Sequence, residues 1–335
     1  MEKDYLELFA GVGGFRLGLD RAGFSCRWFN QWEPADKKQI AFNIYRERFG
    51  DSLRGDENKP VQDVDKHTLP AVSLVVGGFP CQDYSKANLH RGGLAGNKGA
   101  LWFSILDVID AICPPFCLFE NVPSIRRVNK GQDWIYIQKT LLDRGYSFES
   151  AILNAADFGL SQRRQRLFLF VWRNDTRFAD EYVGGFFANV KRSAAFVAFK
   201  DILKPWEDRL ELTDFQLERM KKLKGEKVLD RHRADGSVFH YREGACPFPE
   251  NLENTGRTVT CQEGALNRVS HVIRDPSTGR FRWLNETEAE VMQGFPENWT
   301  AGASRRWRLK TMGNAVAVDV VAAIGDQIAK IIEKE

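Results

Sequence analysis

The stretch "GGFPCQDYS", Gly77 to Ser85, puts a cysteine directly after a proline, where the apolar run "AVSLVV" (Ala71 to Val76) ends. Cys81 would be a thiol at a strand tip, and a thiolate is a strong nucleophile at neutral pH when a cationic or polar site lowers its pKa. A lone cysteine beside apolar residues is ordinarily packing, so the reading depends on what joins it. "FENV" puts Glu120 and Asn121 at the tip of the next strand. Two adjacent parallel strands would bring Cys81 and Glu120 within reach of one bound ring. "QRRQR" adds Gln162, Arg164 and Arg166. Alternate residues of an extended chain share a face, so these three point to the same edge while Arg163 and Gln165 point elsewhere. A thiol, a carboxyl and two guanidiniums can then converge.

A second group of residues suits a cofactor. "LELFAGVGGFRLGL" places Gly11, Gly13 and Gly14 between a strand and a helix, where glycine lets backbone approach a ligand at the carboxyl edge of a sheet. Glu33 follows near the end of strand two, where a carboxylate can accept bonds from both ribose hydroxyls. Asp63 in "VQDVD" is placed to act similarly beside an adenine ring. By spacing alone this suits NAD as well as S-adenosylmethionine. The pattern is G-x-G-G rather than G-x-G-x-x-G, which counts against a pyrophosphate site, and a purely steric turn is the alternative.

The elements that must hold these residues alternate. "YLELF", "CRWFNQW", "AVSLVV", "FCLFEN", "SFESAILNA" and "RLFLFVWR" read as strands; "FRLGLDRAG", "ADKKQIAFNIYRERF", "LWFSILDVIDAI" and "WIYIQKTLLDRG" read as helices. Such alternation predicts an α/β fold, an open and mostly parallel sheet with helices on both faces. The rhythm stops after Arg173. Residues 174–256 read as irregular, part of a second, smaller domain. The last segment is apolar at Val316, Val320, Ile324, Ile328 and Ile331, one helical stripe that packs back on the first domain. Gly92, Gly93, Gly96 and Gly99 mark a mobile loop after Cys81, suited to act as a lid.

Bulk properties narrow the class. The chain has 335 residues, 43% apolar and 28% charged, the makeup of an ordinary globular protein. Mean hydropathy is −0.39, and no apolar run approaches the ~20 residues of a membrane span. The acidic start "MEKDYLELFAG" lacks the flank and core of a signal peptide, which makes the cytoplasm the expected location. Six scattered cysteines form neither a disulfide framework nor a paired CxxC zinc site, so no metal is expected; "CPPFC" reads as packing before a strand. A net charge of +3 implies no particular partner. Basic residues cluster, however, at 126–130, 162–166, 219–227 and 304–310, and local basic faces bind phosphate even near neutrality.

These residues resemble the DNA cytosine-5 methyltransferases of bacterial restriction–modification systems, over nearly the whole chain. "LFAGVGGFRLGL" is similar to the family's first cofactor motif, "GFPCQDYS" to its catalytic motif and "FENV" to its glutamate motif. "QRRQR" is similar to its Gln-x-Arg-x-Arg motif, "GRTVTCQE" to the motif preceding the end of the recognition domain, and "MQGFPENW" and "MGNAVAV" to its closing motifs, in the family's order. The resemblance implies a Rossmann-like, S-adenosylmethionine-dependent sheet (residues 1–173), a small target-recognition domain (174–307, variable over 174–256) and a C-terminal return (308–335). It implies that Cys81 attacks carbon 6 of a flipped cytosine while Glu120 holds ring nitrogen 3, that Arg166 contacts the base and that Arg164 steadies the site. Phe9, Gly11, Gly13, Gly14, Glu33, Asp63, Pro80, Leu101, Asn314 and Val316 fall at cofactor positions, and Gln82, Ser85, Arg257 and Thr258 at DNA positions.

Some residues depart from that pattern. The family usually shows Glu then Trp at the end of strand two; here the order is Gln31, Trp32, Glu33, so either Gln31 or Glu33 takes the ribose place. Ala317 stands where proline or valine is frequent. The implied partner is double-stranded DNA, with one copy of the chain sufficient because it carries every motif. A restriction–modification setting would add a separately encoded endonuclease, which no residue here specifies. A tRNA-directed branch carries a Cys-Phe-Thr tripeptide that this chain lacks. A catalytically dead homologue would not need Cys81, Glu120, Arg164 and Arg166 together. The recognised DNA sequence cannot be read from residues 174–256.

Overall fold

The computed structural model describes residues 1–50, 57–79, 101–232 and 236–335. β1 (Asp4–Leu8), buried throughout, leads into α1 (Gly14–Arg21) and β2 (Ser25–Asn30). α2 (Ile40–Phe49), β3 (Leu74–Gly78), α3 (Leu101–Ile112) and β4 (Phe116–Asn121) follow, then α4 (Gln132–Leu142), β5 (Tyr146–Asn154) and β6 (Gln165–Arg173). The six strands form one sheet in the order β2-β1-β3-β4-β6-β5. The first four are parallel; β6 runs antiparallel to both β4 and β5. The expected mostly parallel sheet therefore holds one reversed strand, β6, inserted between β4 and the edge strand β5. Only about ten residues join β5 to β6, too few for the crossover a parallel return requires.

Strand alternation divides the core into two layers. Tyr5, Leu74, Val76, Phe116 and Leu118 face α1 and the last helix, α9 (Val318–Ile332). Leu6, Leu8, Val75, Cys117 and Phe119 face α3 and α4 through Trp102, Ile105, Ile137 and Leu141. Helices thus cover both faces, as the alternation predicted. The α9 stripe is buried at Val320, Ile324, Ile328 and Ile331, packed with Phe15 and Leu19 of α1. Two glycines set that approach: a Cβ on Gly18 would lie 2.6 Å from Val321 Cβ, and one on Gly325 2.8 Å from Ala22 Cβ.

Residues 174–256 are more regular than expected. They contain α5 (Arg177–Glu181), α6 (Asp214–Lys224) and an antiparallel ribbon of β7 (Lys227–His232) with β8 (Val238–Glu243). Thr213 and Gln216 form a capping box that starts α6, a signal concealed among charged residues. β9 (Val272–Arg274) pairs with β10 (Phe281–Trp283), and α7 (Glu286–Met292) and α8 (Arg305–Asn314) precede α9. Val12, Ala41 and Ile44 share a third core with Phe199, Val259, Leu284, Met292, Leu309 and Met312. That core sets the end of α8 and the segment around Val259 beside the glycine turn. No helix among the described residues is long and apolar enough to cross a membrane.

Candidate active site and cofactor cavity

At the carboxyl end of β1 the chain turns sharply. Phe9 has φ +56°, a conformation that bulky side chains rarely adopt. Gly11 (φ +58°) and Gly13 (φ +90°) continue the turn, closed by the Gly13 amide donating to Ala10 O at 2.9 Å. A cavity of about 620 Å³ opens here, lined by Phe9, Gly11, Gln31, Trp32, Glu33, Leu101 and Asn314 among others. A Cβ on Gly11 would meet nothing within 4 Å, so its backbone stays open to an occupant.

The expected cofactor residues divide. Phe9, Gly11, Glu33, Leu101 and Asn314 line the cavity. Gly13, Gly14 and Val316 do not; they hold the turn by close packing. A Cβ on Gly13 would lie 2.3 Å from the Phe49 ring, and one on Gly14 2.8 Å from Val316 Cγ1. Asp63 also lies off the wall. Its short 3-10 turn, Val61–Asp63, leaves it exposed and lines the cavity with Val61 and Gln62 instead. Gln31 is buried, and its Oε1 accepts the Gly11 amide at 2.7 Å. Glu33 meets Lys310 Nζ at 2.6 Å. The Lys310 contact had no local signal, since the pair is 277 residues apart.

The candidate catalytic groups share this wall: Glu120 of β4, Arg166 of β6 and Arg164 just before β6 line the same cavity. Glu120 Oε1 sits 3.0 Å from Arg166 Nε. Gly78, the residue of β3 in register with Glu120, gives the carboxyl room: a Cβ there would lie 3.2 Å from Oε2. Burial raises the Glu120 pKa above the usual carboxylate range, while Arg166 and Arg164 pull it back down. A carboxyl so held keeps or shares a proton more readily than an exposed glutamate. Asn121 Nδ2 donates to Phe79 O at 3.2 Å, tying the end of β4 to the residue that follows β3. Pro80, Cys81, Gln82 and Ser85 lie outside the described residues, as do Gly92, Gly93, Gly96 and Gly99.

The alternation in "QRRQR" holds, but the side chains do unlike work. Gln162 and Arg164 are buried, whereas Arg163 and Gln165 are exposed. Arg164 Nη1 donates to Val259 O at 2.9 Å, and Nη2 donates to Gly313 O at 2.9 Å and Ala315 O at 2.7 Å. Gln162 takes the Val259 amide at 2.8 Å and donates to Met292 O at 2.9 Å. Of the three, Arg166 alone pairs with Glu120; Gln162 and Arg164 clamp distant segments together beneath it.

The family model for C-5 cytosine-specific DNA methylases matches residues 4–330. The chain belongs to that family. Among curated DNA methylases it is 32% identical to the type II methyltransferase M.Sau3AI of Staphylococcus aureus, over 97% of this chain and 95% of that one. It is 26% identical to M.HhaI of Haemophilus parahaemolyticus, over 97% and 93%. Solved structures share the fold at low identity: the Entamoeba histolytica methyltransferase EhMeth (TM-score 0.72, 14% identical, covering 100% of this chain and 99% of that one) and the S. pombe Dnmt2 methyltransferase (0.68, 17%, 99% and 99%). The activity class is DNA cytosine-5 methyl transfer.

Two residues expected at the DNA of this methylase are engaged elsewhere. Arg257 Nη2 lies 2.6 Å from Glu250 Oε1 and also reaches the carbonyls of Val269 and Ser270. Burial alone would raise the Glu250 carboxyl; hydrogen bonding from Arg257, with His271 and Lys224 nearby, holds it below the usual range. The guanidinium is committed inward because Glu250 is buried and needs it. Thr258 Oγ1 donates to Arg163 O at 2.7 Å. The basic run 304–310 is corrected likewise. Arg308 pairs with buried Glu290 at 2.8 Å, Arg305 donates to Leu284 O at 2.8 Å, and Lys310 holds Glu33, so the run braces the fold instead of forming an open basic face.

Proposed function

We propose that this chain transfers a methyl group from S-adenosylmethionine to carbon 5 of a cytosine flipped out of a short, specific duplex site. The observation that carries this reading is the shared wall: Glu120 and Arg166 line the same cavity as the glycine turn, Trp32 and Asn314. Flipping is required because the thiol and the methyl group must approach carbons 6 and 5 through the faces of the ring, which stacked neighbours cover, at a cost of about a few kcal/mol. The Cys81 thiolate then adds to carbon 6, forming a carbon–sulfur bond. Glu120 donates to ring nitrogen 3, stabilising charge where it develops, and Arg166 orients that carboxyl and the base. The electrons gathered at carbon 5 form the new carbon–carbon bond to the transferred methyl. Loss of the carbon-5 proton to a base expels the thiolate and restores the ring. Bound S-adenosylmethionine would supply an electrophilic methyl group, its methyl–sulfur bond breaking with the electron pair left on sulfur to give S-adenosylhomocysteine. Phe9, Gly11, Leu101 and Asn314, with Gln31 or Glu33 toward the ribose, would hold it.

Residues 174–256 supply target recognition in this reading. The chain acts in the cytoplasm, one copy per site, as the methylase of a restriction–modification pair with a separate endonuclease. Bisulfite sequencing of host DNA during expression should show 5-methylcytosine in one sequence context, and its absence in every context would sink the reading. Duplex DNA carrying 5-fluorocytosine at the target should trap a covalent adduct, since no carbon-5 proton can leave. Cys81→Ala should abolish that adduct and lower turnover at least ~10³-fold while still binding S-adenosylmethionine; turnover at the wild-type rate would remove the nucleophile assignment.

A further inference from the structure

The β7–β8 ribbon is only two strands wide, and such a pair is marginally stable by itself in water. One of its faces consists of Val228, Asp230 and His232 on β7, set in register against Arg242, His240 and Val238 on β8. All six are exposed: Val228 by 57% and Val238 by 51%, with the His240 and Arg242 side chains both at 78%. Asp230 meets His240 Nδ1 at 2.6 Å across the strands, and Arg242 is 4.0 Å from Glu226. This face therefore presents a guanidinium, two imidazoles, a carboxylate and two branched apolar groups to solvent.

That mixture matches the edges of base pairs. Arginine pairs bidentately with guanine, a carboxylate accepts from cytosine N4, and apolar side chains contact the thymine methyl. The major groove also admits a two-stranded ribbon. Exposed Arg219, Lys221 and Lys222 of α6, just before the ribbon in the chain, suit flanking phosphates.

The root of the ribbon is tied to the active site. Glu243 pairs with Arg268, which also donates to Gly244 O at 2.6 Å. The Cys246 amide donates to Lys224 O at 2.8 Å, and Lys224 Nζ meets Glu250 Oε1 at 3.1 Å. Glu250 holds Arg257, whose neighbours Thr258 and Val259 bond to Arg163, Gln162 and Arg164. A continuous series of polar contacts thus indexes the ribbon to the wall that carries Glu120.

We propose that the open face of this ribbon reads base edges beside the flipped cytosine, with Arg242 as its principal base contact. The proposal rests on the DNA-methylating reading above and adds the element that selects the site. Its test uses the full-length enzyme and a library of duplexes randomised on both sides of the cytosine that wild type methylates. Arg242→Ala should lose roughly tenfold or more in kcat/KM on the preferred duplex, relax base preference at one flanking position, and leave S-adenosylmethionine affinity and Tm unchanged. Arg242→Lys should not restore the preference. An unchanged preference overturns the proposal. So does uniform weakening on all sequences with a shallower salt dependence, which marks a phosphate contact alone. If wild type methylates no duplex, the underlying reading fails, and that result appears before any variant is made.

Discussion

Arg164 and Arg242 carry the same guanidinium into opposite surroundings. Arg164 is 2% exposed and gives its donors to three backbone carbonyls on two distant segments. Arg242 stands with 78% of its side chain in solvent, its charged neighbour Glu226 4.0 Å away. In the proposed reading, the wall that carries Glu120 is assembled from the chain's own contacts, which suits chemistry that is the same at every site and gains from groups that need not reorganise. The ribbon keeps its polar side chains in solvent, the Asp230–His240 pair included, where in the proposed reading the right bases would meet them and the wrong ones would not.

Four substitutions test that contrast, in order of expected effect. Glu120→Gln should cost about 10²–10³-fold in kcat with little change in cofactor affinity. The raised Glu120 pKa also has a kinetic sign: the protonated, donating form is lost as pH rises through it, so the alkaline limb of the wild-type rate profile should disappear in the variant. A loss confined to KM would instead place Glu120 in binding. Arg164→Met should destabilise the fold by about 3 kcal/mol in denaturant titration, since it leaves buried carbonyls without donors. Normal stability with reduced turnover would move Arg164 from the scaffold to the chemistry.

Glu7 gives a smaller, pH-dependent effect beneath the same turn. It is fully buried, accepts from Tyr45 OH at 2.9 Å, and is pushed up to about 8 by desolvation, offset in part by Tyr45 and Arg16. The folded state then binds a proton that the unfolded chain releases near 4.5, so stability contributed by this group declines as pH rises from about 4.5 to about 8. Glu7→Gln should flatten that decline in thermal melts across the window; an equally steep decline would assign it to another group. Arg242→Ala should change stability by less than about 0.5 kcal/mol while altering which duplexes are methylated. A large loss of stability would mean that the ribbon is part of the scaffold.

Much of the site was legible in the chain because its signals are local. The period-two alternation of "QRRQR" separates buried Gln162 and Arg164 from exposed Arg163 and Gln165, and strand tips follow from apolar runs that end in Gly or Asn. The capping box of α6 was equally local yet went unread within a charged stretch. Asp63 was misplaced by one residue, since a 3-10 turn changes which side chain meets the cavity. The glycines of the turn were found, but their different tasks were not. Gly11 faces open space while Gly13 and Gly14 touch Phe49 and Val316, and contact with residues so far along the chain leaves no local trace.

The sequence by itself determined the candidate site residue types, their order along the chain, the strand–helix alternation and the apolar stripe of α9. These depend on neighbours within a few positions, where stereochemistry and periodicity act directly. Only the tertiary structure decided which charges remain free. It returned β6 antiparallel between β4 and β5, turned Arg257 onto buried Glu250, set Lys310 against Glu33, and left Arg242 open. A charged side chain takes its role from whether burial forces it to find a partner, and both burial and partner come from segments that meet only once the chain has folded.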